Sequence, residues 1–193
     1  MLALPPAPAP APRRQLLVGT SLACAAGTTM YFGMLALYLR FRQSALDVPE
    51  GVWRPDKVII PEVPTNVMLI AFLGVFVFAQ WAVYAARREH KAYTALAIAL
   101  TALMGLAVIN AQAFVYTQLE LGLHDGTYAM FVYALSGTFV FLTIIGIAFS
   151  IVTAFRYLGG RIHDREVVTA HAIYWYFLGA VYCGLWFVVY VTK

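Results

Sequence analysis

The chain has 193 residues, of which 62% are hydrophobic and only 11% are charged, with a formal net charge of +4. Soluble globular domains are usually about 45–50% apolar and about 25% charged, so this composition excludes a soluble domain and indicates a membrane protein. The basic excess, which in a soluble chain suggests nucleic-acid binding, is here expected to set membrane orientation, and no nucleic-acid partner is predicted.

All charged residues lie outside five long apolar stretches. The stretches without Asp, Glu, Lys or Arg are 15–39, 63–86, 92–119, 126–155 and 167–192. Each is longer than the roughly 20 apolar residues that cross a bilayer as a helix. The pattern predicts an all-α fold, a polytopic bundle of five transmembrane helices at about 15–40, 64–87, 92–119, 127–157 and 167–192.

A proline- and alanine-rich segment, residues 1–14, precedes the first predicted helix. Such a tract does not form a helix, so it is predicted to be an extended cytoplasmic tail ahead of a single transmembrane domain, 15–193. The first apolar stretch exceeds the roughly 7–15-residue hydrophobic region of a signal peptide, and we expect it to be retained.

Small residues in the first and fourth helices predict helix packing. Gly19, Ala23 and Gly27 recur every four residues, a spacing that allows close approach of a neighbouring helix. Gly137 and Gly146 are nine residues apart and therefore point about 180° from each other, towards two different neighbours.

The connection between the first two helices, residues 41–64, contains four prolines and is predicted to be irregular rather than helical. Its Trp53 is expected to anchor the loop among lipid headgroups. The same headgroup position is expected for four aromatic residues of the last helix, Tyr174, Trp175, Tyr176 and Tyr190.

Polar residues inside the predicted spans are uncharged or lie near span ends. Asn110 and Gln112 are two residues apart, so they point about 160° from each other and are expected to form separate interhelical hydrogen bonds. Cys24 and Cys183 lie in different helices without a CxxC partner, and both are predicted to be buried packing thiols.

The four histidines do not provide a haem site, because none lies in the middle of a span. They are His90, His124, His163 and His171. A surface metal bound by His90 and His163 is disfavoured because basic residues flank both positions. The sequence therefore predicts no catalytic, cofactor-binding or metal-binding residue in this chain.

Basic residues divide eight to five between the two membrane sides. The side with eight carries Arg13, Arg14, Arg87, Arg88, Lys91, Arg156, Arg161 and Arg165; the other carries Arg40, Arg42, Arg54, Lys57 and Lys193. Cytoplasmic loops carry an excess of Lys and Arg, so the N-terminus is predicted to be cytoplasmic and the C-terminus outside.

Five short motifs occur in an order typical of one family. They are the helix TTMYFGMLALYLRFR, the loop VWRPDK, the helix entry VPTNVMLIA, the segment QAFVYTQLELGLHDGTY and the segment IYWYF. Together they resemble subunit III of the haem-copper terminal oxidases in its short five-helix bacterial form. The matching residues outside the first motif are Trp53, Pro55, Pro64, Asn66, Gln112, Ala113, Tyr116, Asp125, Gly126, Tyr128, Tyr174, Trp175 and Phe177.

The chain departs from this family pattern at its ionisable intramembrane positions. Uncharged residues stand where the pattern has glutamate, histidine or aspartate: Gly27 or Thr28, Val115, Phe139, Leu142, Tyr176 and Gly179. The comparison implies a subunit that contributes no titrating group from these positions. Asp164 and Glu166, near the last helix, are expected to form solvated ion pairs rather than a proton-collecting antenna.

The resemblance implies a non-catalytic accessory subunit of a cytochrome c oxidase in the bacterial inner (plasma) membrane, part of aerobic electron transport. It implies a catalytic partner, subunit I, that carries the haem and copper, and a bound phospholipid. Two alternatives remain open. One is an accessory subunit of a nitric-oxide reductase or quinol oxidase, and the other is a small independent membrane transporter, disfavoured because five helices do not divide into two equal repeats.

Overall fold

The computed structural model describes residues 14–161 and 164–192. This part of the chain is helical and contains no strand, with α1 at Gln15–Leu46, α2 at Glu62–Arg87, α3 at Lys91–Gln118, α4 at Thr127–Leu158 and α5 at Arg165–Leu185. A π-helical turn, Trp186–Val191, continues α5. Five helices are long and apolar enough to cross a membrane, which confirms the predicted all-α, five-span fold. The predicted tail lies almost wholly outside the described residues.

The first connection is shorter than predicted because α1 continues to Leu46 rather than ending near residue 40. Residues 41–46 contain neither glycine nor proline, and Gln43 Nε2 donates a hydrogen bond to Asp47 Oδ1 at 2.8 Å. α2 begins at Glu62, two residues earlier than predicted. Pro64 is tolerated there because backbone N–H groups in the first helical turn lack intrahelical acceptors.

α5 is the central helix, and α1, α2 and α4 pack against it. α3 lies beside α2 and α4, whereas α1 contacts mainly α5. In the most apolar part of each span, 56% of the α5 residues are buried but only 22% of the α1 residues. More than half of α5 is therefore covered by protein, while most of α1 is open to its surroundings.

The two ends of the bundle differ: arginines gather at one end, and two connections meet at the other. Arg14, Arg87 and Arg165 lie together at one end, the basic end. The first connection meets the α3–α4 connection at the opposite end, the loop end, where Lys57 contacts Asp125.

Glycines allow the helices to approach α5, but only some of the predicted ones do so. A methyl group at Gly146 would lie 2.9 Å from Leu178 Cδ1, and one at Gly27 would lie 2.9 Å from Phe177 Cζ. Nothing lies within 4 Å of such a group at Gly19 or Gly137. The prediction that Gly19 and Gly137 pack against neighbouring helices is therefore wrong within this chain.

Candidate functional site

An aromatic cluster at the loop end is built around Trp53. Its indole is only 8% exposed and meets Tyr38 edge-on, with ring centroids 5.3 Å apart. Tyr128 packs on it in the same manner at 5.7 Å, and Phe131 lies at 6.3 Å. The prediction that Trp53 anchors the loop among headgroups is wrong, because the loop folds back and places the indole between α1 and α4.

A hydrogen-bonded ion pair fixes the first connection to the third. Lys57 Nζ donates to Asp125 Oδ2 at 2.9 Å, and the Gly122 backbone N–H donates to the same oxygen at 2.9 Å. These hydrogen bonds, with that from Lys57 the larger influence, lower the pKa of the exposed Asp125 carboxyl. Gly126 follows with φ of 103°, a conformation that favours glycine. This explains why aspartate and glycine are adjacent in the DGTY motif.

A buried polar cluster joins four elements in the bundle interior. Tyr190, from the π-helical turn, donates to Gln112 Oε1 at 3.2 Å, and Tyr116 donates to Ser136 Oγ at 2.9 Å. Tyr31 of α1 donates to the Leu135 carbonyl at 3.1 Å. Tyr190 is 4% exposed, so its predicted headgroup position is wrong.

Asn110 and Gln112 lie on different faces of α3, as their two-residue spacing predicts. Gln112 is fully buried, whereas Asn110 is exposed on another face. The two amides therefore do not share a site, as predicted. Sequence reasoning gave their separation correctly but did not identify Tyr190 as the partner of Gln112.

Side-chain hydrogen bonds also connect α2 to α5 and its π-helical extension. Tyr182 donates to the Thr65 carbonyl at 2.7 Å, and Trp186 Nε1 donates to Asn66 Oδ1 at 2.8 Å. Asn66 belongs to the VPTNVMLIA motif, which lies in the first turns of α2. The motif therefore has a structural role, because its Asn66 accepts a hydrogen bond from Trp186 in the π-helical turn that continues α5.

His171 forms a buried cluster that sequence reasoning missed. Ser150 Oγ lies 2.7 Å from His171 Nε2, and the Trp175 indole N–H donates to both atoms, at 3.1 Å and 3.0 Å. Trp175 is fully buried, so its predicted headgroup position is wrong. The four-residue spacing of His171 and Trp175, which places both on one helix face, was the available signal. No carboxylate joins the cluster in the described residues, and we assign it to packing.

Charged residues at the basic end connect helix termini. Asp164 pairs with Arg156 at 2.8 Å, and Glu89 pairs with Arg165 at 2.8 Å. The expected ion pair is confirmed for Asp164. Glu166 instead accepts a hydrogen bond from the Leu17 backbone N–H at 2.8 Å and so caps the first turn of α1.

Two concave surfaces lie on the bundle. A groove between α3 and α4, of about 370 Å³, is lined almost entirely by hydrocarbon side chains such as Ala102, Leu106 and Ile151. A pocket at the basic end, of about 560 Å³, is lined by Arg14, Arg87, Arg165 and residues near them.

Metal ligands do not cluster in residues 14–161 and 164–192, where no three His, Cys, Asp or Glu side chains approach one another closely enough to hold an ion. His163 lies outside the described residues, so the His90–His163 pair is untested. Cys24 is buried as predicted, but Cys183 is exposed, which corrects its assignment as a buried packing thiol.

Packing fills the positions at which the resemblance expects ionisable groups. Val115 and Phe139 are fully buried, and the Phe139 ring lies 5.0 Å from that of Tyr182. Phe76 lies against Gly179, and Tyr176 donates to Gln80 Oε1 at 2.8 Å. The buried polar residues of the described chain are Thr, Gln, Ser and His, with no carboxylate, lysine or arginine among them.

These features define a class, a polytopic helical membrane protein whose interior is joined by tyrosine, tryptophan and amide hydrogen bonds. The model of one family, Cytochrome c oxidase subunit III, matches residues 15–193. The chain belongs to the cytochrome c oxidase subunit III family.

Individual relatives come from three Rickettsia species, and each is named "Probable cytochrome c oxidase subunit 3". The Rickettsia felis protein is 30% identical over 156 residues, 75% of this chain and 54% of the relative. That of Rickettsia conorii is 29% identical over 154 residues, 75% and 53%. That of Rickettsia bellii is 28% identical over 184 residues, 84% and 64%. The chain thus spans about half the length of the first two relatives.

Proposed function

We propose that this chain is the non-catalytic accessory subunit, subunit III, of a respiratory cytochrome c oxidase. The observation that carries the proposal is the family match over residues 15–193. The complex would lie in the bacterial inner membrane, with the N-terminus of this chain in the cytoplasm. Its partner, subunit I, would carry the haem and copper and perform the redox chemistry.

The contribution of this chain would be to hold the catalytic subunit in a durable form. Proton transfer through a membrane interior usually depends on ionisable groups at depth. At Val115 and Phe139 this chain instead has fully buried apolar side chains, and the described residues contain no buried carboxylate. This supports a structural rather than a proton-conducting role.

Phospholipid would bind as a structural component. The α3–α4 groove supports this proposal, because its hydrocarbon lining and its volume of about 370 Å³ suit an acyl chain. Basic residues Arg87, Lys91 and Arg156 stand near the membrane surface at the basic end, where anionic headgroups would attract them.

A second candidate is the accessory subunit of a related nitric-oxide reductase or quinol oxidase. The observation that keeps it open is the replacement of nearly every ionisable intramembrane position of the pattern, as at Val115, Phe139 and Gly179. Because these replacements lie in the accessory subunit, they are equally compatible with a different electron donor or terminal acceptor in the catalytic subunit.

Affinity purification of the tagged chain from membranes in mild detergent tests the proposal. We expect a haem-bearing, copper-containing catalytic subunit to co-purify at a fixed ratio and to be identified by mass spectrometry of its peptides. Oxygen uptake with reduced cytochrome c would support the oxidase, whereas nitric-oxide consumption or quinol oxidation would support the second candidate. Purification of the chain with no haem protein would contradict both.

A further inference from the structure

Three polar groups at the loop end are buried without a hydrogen-bond partner in residues 14–161 and 164–192. They are the Tyr38 hydroxyl of α1, the Trp53 indole N–H of the first connection and the Tyr128 hydroxyl of α4. The three side chains belong to residues that are 0%, 8% and 3% exposed, respectively. A buried polar group without a partner is costly and rare in native proteins, so three of them together indicate a bound polar molecule.

The three groups belong to one set of contacts. The Trp53 ring meets Tyr38 and Tyr128 edge-on, at centroid distances of 5.3 Å and 5.7 Å. The Tyr38 hydroxyl lies near enough to the Trp53 N–H and to the Tyr128 hydroxyl to interact with both. Neither contact reaches hydrogen-bond geometry. Polar groups that approach one another without bonding directly are often bridged by water.

The chemistry of the three groups suits a neutral molecule that both donates and accepts hydrogen bonds. The Trp53 N–H can only donate, whereas the hydroxyls of Tyr38 and Tyr128 can donate or accept. A water molecule can accept from Trp53 and from one tyrosine while it donates to the oxygen of the other. Its three hydrogen bonds would then equal the number that a buried water usually makes, about three.

Water can reach these groups from the loop end. A third concave surface of the bundle, of about 410 Å³, has Trp53 and Tyr128 in its lining, together with the hydroxyl-bearing Ser44. The charged pair Lys57 and Asp125 lies at the same end of the bundle. A water molecule would therefore enter from a polar surface and would not have to cross hydrocarbon.

We propose that one internal water molecule binds at the loop end between Tyr38 Oη, Trp53 Nε1 and Tyr128 Oη, and that it joins the first connection to α1 and α4. This water holds the inner side of the connection, and the ion pair of Lys57 with Asp125 holds its outer side. Such a site belongs to the fold of this chain and does not depend on the proposed function.

Removal of each hydroxyl tests the site through the sign of its effect on stability. Tyr38→Phe and Tyr128→Phe each take one partner from the water. Each should therefore lower the thermal midpoint of the full chain in detergent by about 2–4 °C. In a dry site, the same changes would remove an unsatisfied polar group and so raise the midpoint or leave it unchanged. That result would overturn the proposal.

The double variant shows whether the two hydroxyls bind the same molecule. It should lose less stability than the sum of the two single variants, because both act on one water. Tyr31→Phe provides the matched control, since the Tyr31 hydroxyl donates directly to the Leu135 carbonyl and lies about 10 Å from Tyr38 along α1. Its effect should add to that of Tyr38→Phe. Full additivity of Tyr38→Phe and Tyr128→Phe would contradict a shared water.

Magnetisation transfer from water to indole N–H groups, measured by solid-state NMR on the full chain in bilayers, tests the site without unfolding the chain. Trp53 should receive the transfer several times faster than Trp175. The Trp175 indole is fully buried and donates to Ser150 and His171, so it is the matched control. Transfer to Trp53 as slow as that to Trp175 would overturn the proposal.

Two further results would also overturn the assignment of a bound water. Transfer to Trp53 that is unchanged when both Tyr38 and Tyr128 are replaced by phenylalanine would show that it comes from bulk water. A thermal midpoint that rises with chloride concentration in the native chain, but not in this double variant, would identify an anion as the occupant.

Discussion

Individual aromatic residues in this chain hold helices together rather than marking the membrane surface. Trp175 is fully buried, donates to His171 and Ser150, and fills the space beside Gly105. Trp53 has an equivalent place at the loop end, between Tyr38 and Tyr128. For Trp175, the space is left by Gly105 on the facing helix.

Gly105→Ala should therefore destabilise the chain. The added methyl group would meet the fixed Trp175 ring and lie 3.2 Å from Ile147 Cγ1. Overpacking of this kind costs about 1–3 kcal/mol. Thermal unfolding in detergent, followed by near-ultraviolet circular dichroism, should show a lower midpoint for this variant.

The matched control is Gly19→Ala, because nothing lies within 4 Å of a methyl group there. Its midpoint should be unchanged or slightly raised, since alanine favours a helix more than glycine does. Equal loss of stability in the two variants would mean that helix backbone effects, and not contact with Trp175, control the result.

The sequence predicts which residues are in the membrane better than it predicts which of them touch. The headgroup position predicted for Trp175 and Tyr190 follows from their distance along the chain from a span end. Whether a ring faces lipid or a neighbouring helix depends on the helix's rotation. Apolar residues occur on all faces of these helices, so the sequence pattern does not show which face points towards lipid.

At the scale of elements, the helices were predictable and their ends less so. Charge-free stretches longer than a bilayer's thickness identify five helices because lipid leaves the backbone no other bonding partner. Outside the bilayer this constraint is lost, and α1 continues to Leu46 on ordinary helix-forming residues. The connection of Lys57 to Asp125 was likewise not predictable, because it joins residues 68 positions apart.

Asp125→Asn should weaken the contact between the first and third connections, in a pH-dependent manner. Lys57 and Gly122 lower the pKa of Asp125 from its usual 3.8, so the stabilisation is complete above that value and is lost as the pH falls through the lower folded value. We expect the native chain to have the higher thermal midpoint at pH 7. The difference should shrink as the pH falls below 3.8 and disappear once the pH is below the lowered pKa of the folded state.

Exposed Asp56, one residue before Lys57, provides the control substitution Asp56→Asn. It should leave the midpoint nearly unchanged at both pH values. A difference between native and Asp125→Asn chains that persists unchanged in strong acid would show that the ionised carboxylate is not responsible.

At the scale of the whole molecule, the charges of the basic end predict the orientation across the membrane. Lys91→Cys, next to the α2–α3 turn, and His124→Cys, at the loop end, place exposed thiols on opposite sides. With Cys183 replaced by alanine, an impermeant maleimide added to spheroplasts should label His124→Cys. It should label Lys91→Cys only after the membrane is opened, because cytoplasmic segments carry the basic excess. The reverse pattern would place the N-terminus outside.

The proposed structural role is compatible with the bundle interior, where α5 and its extension join their neighbours through uncharged hydrogen bonds such as Tyr182 to Thr65 and Tyr190 to Gln112. The family was recognisable from sequence through motifs such as DGTY and IYWYF.

The most direct test of the central claim compares oxygen uptake by the purified complex with and without this chain. If the chain is a non-catalytic subunit, the initial rate per haem and its pH profile should be the same in both preparations. The complex lacking the chain should then lose activity faster during turnover. An immediate fall in the initial rate of an otherwise fully assembled complex, or a shifted pH profile, would contradict this account.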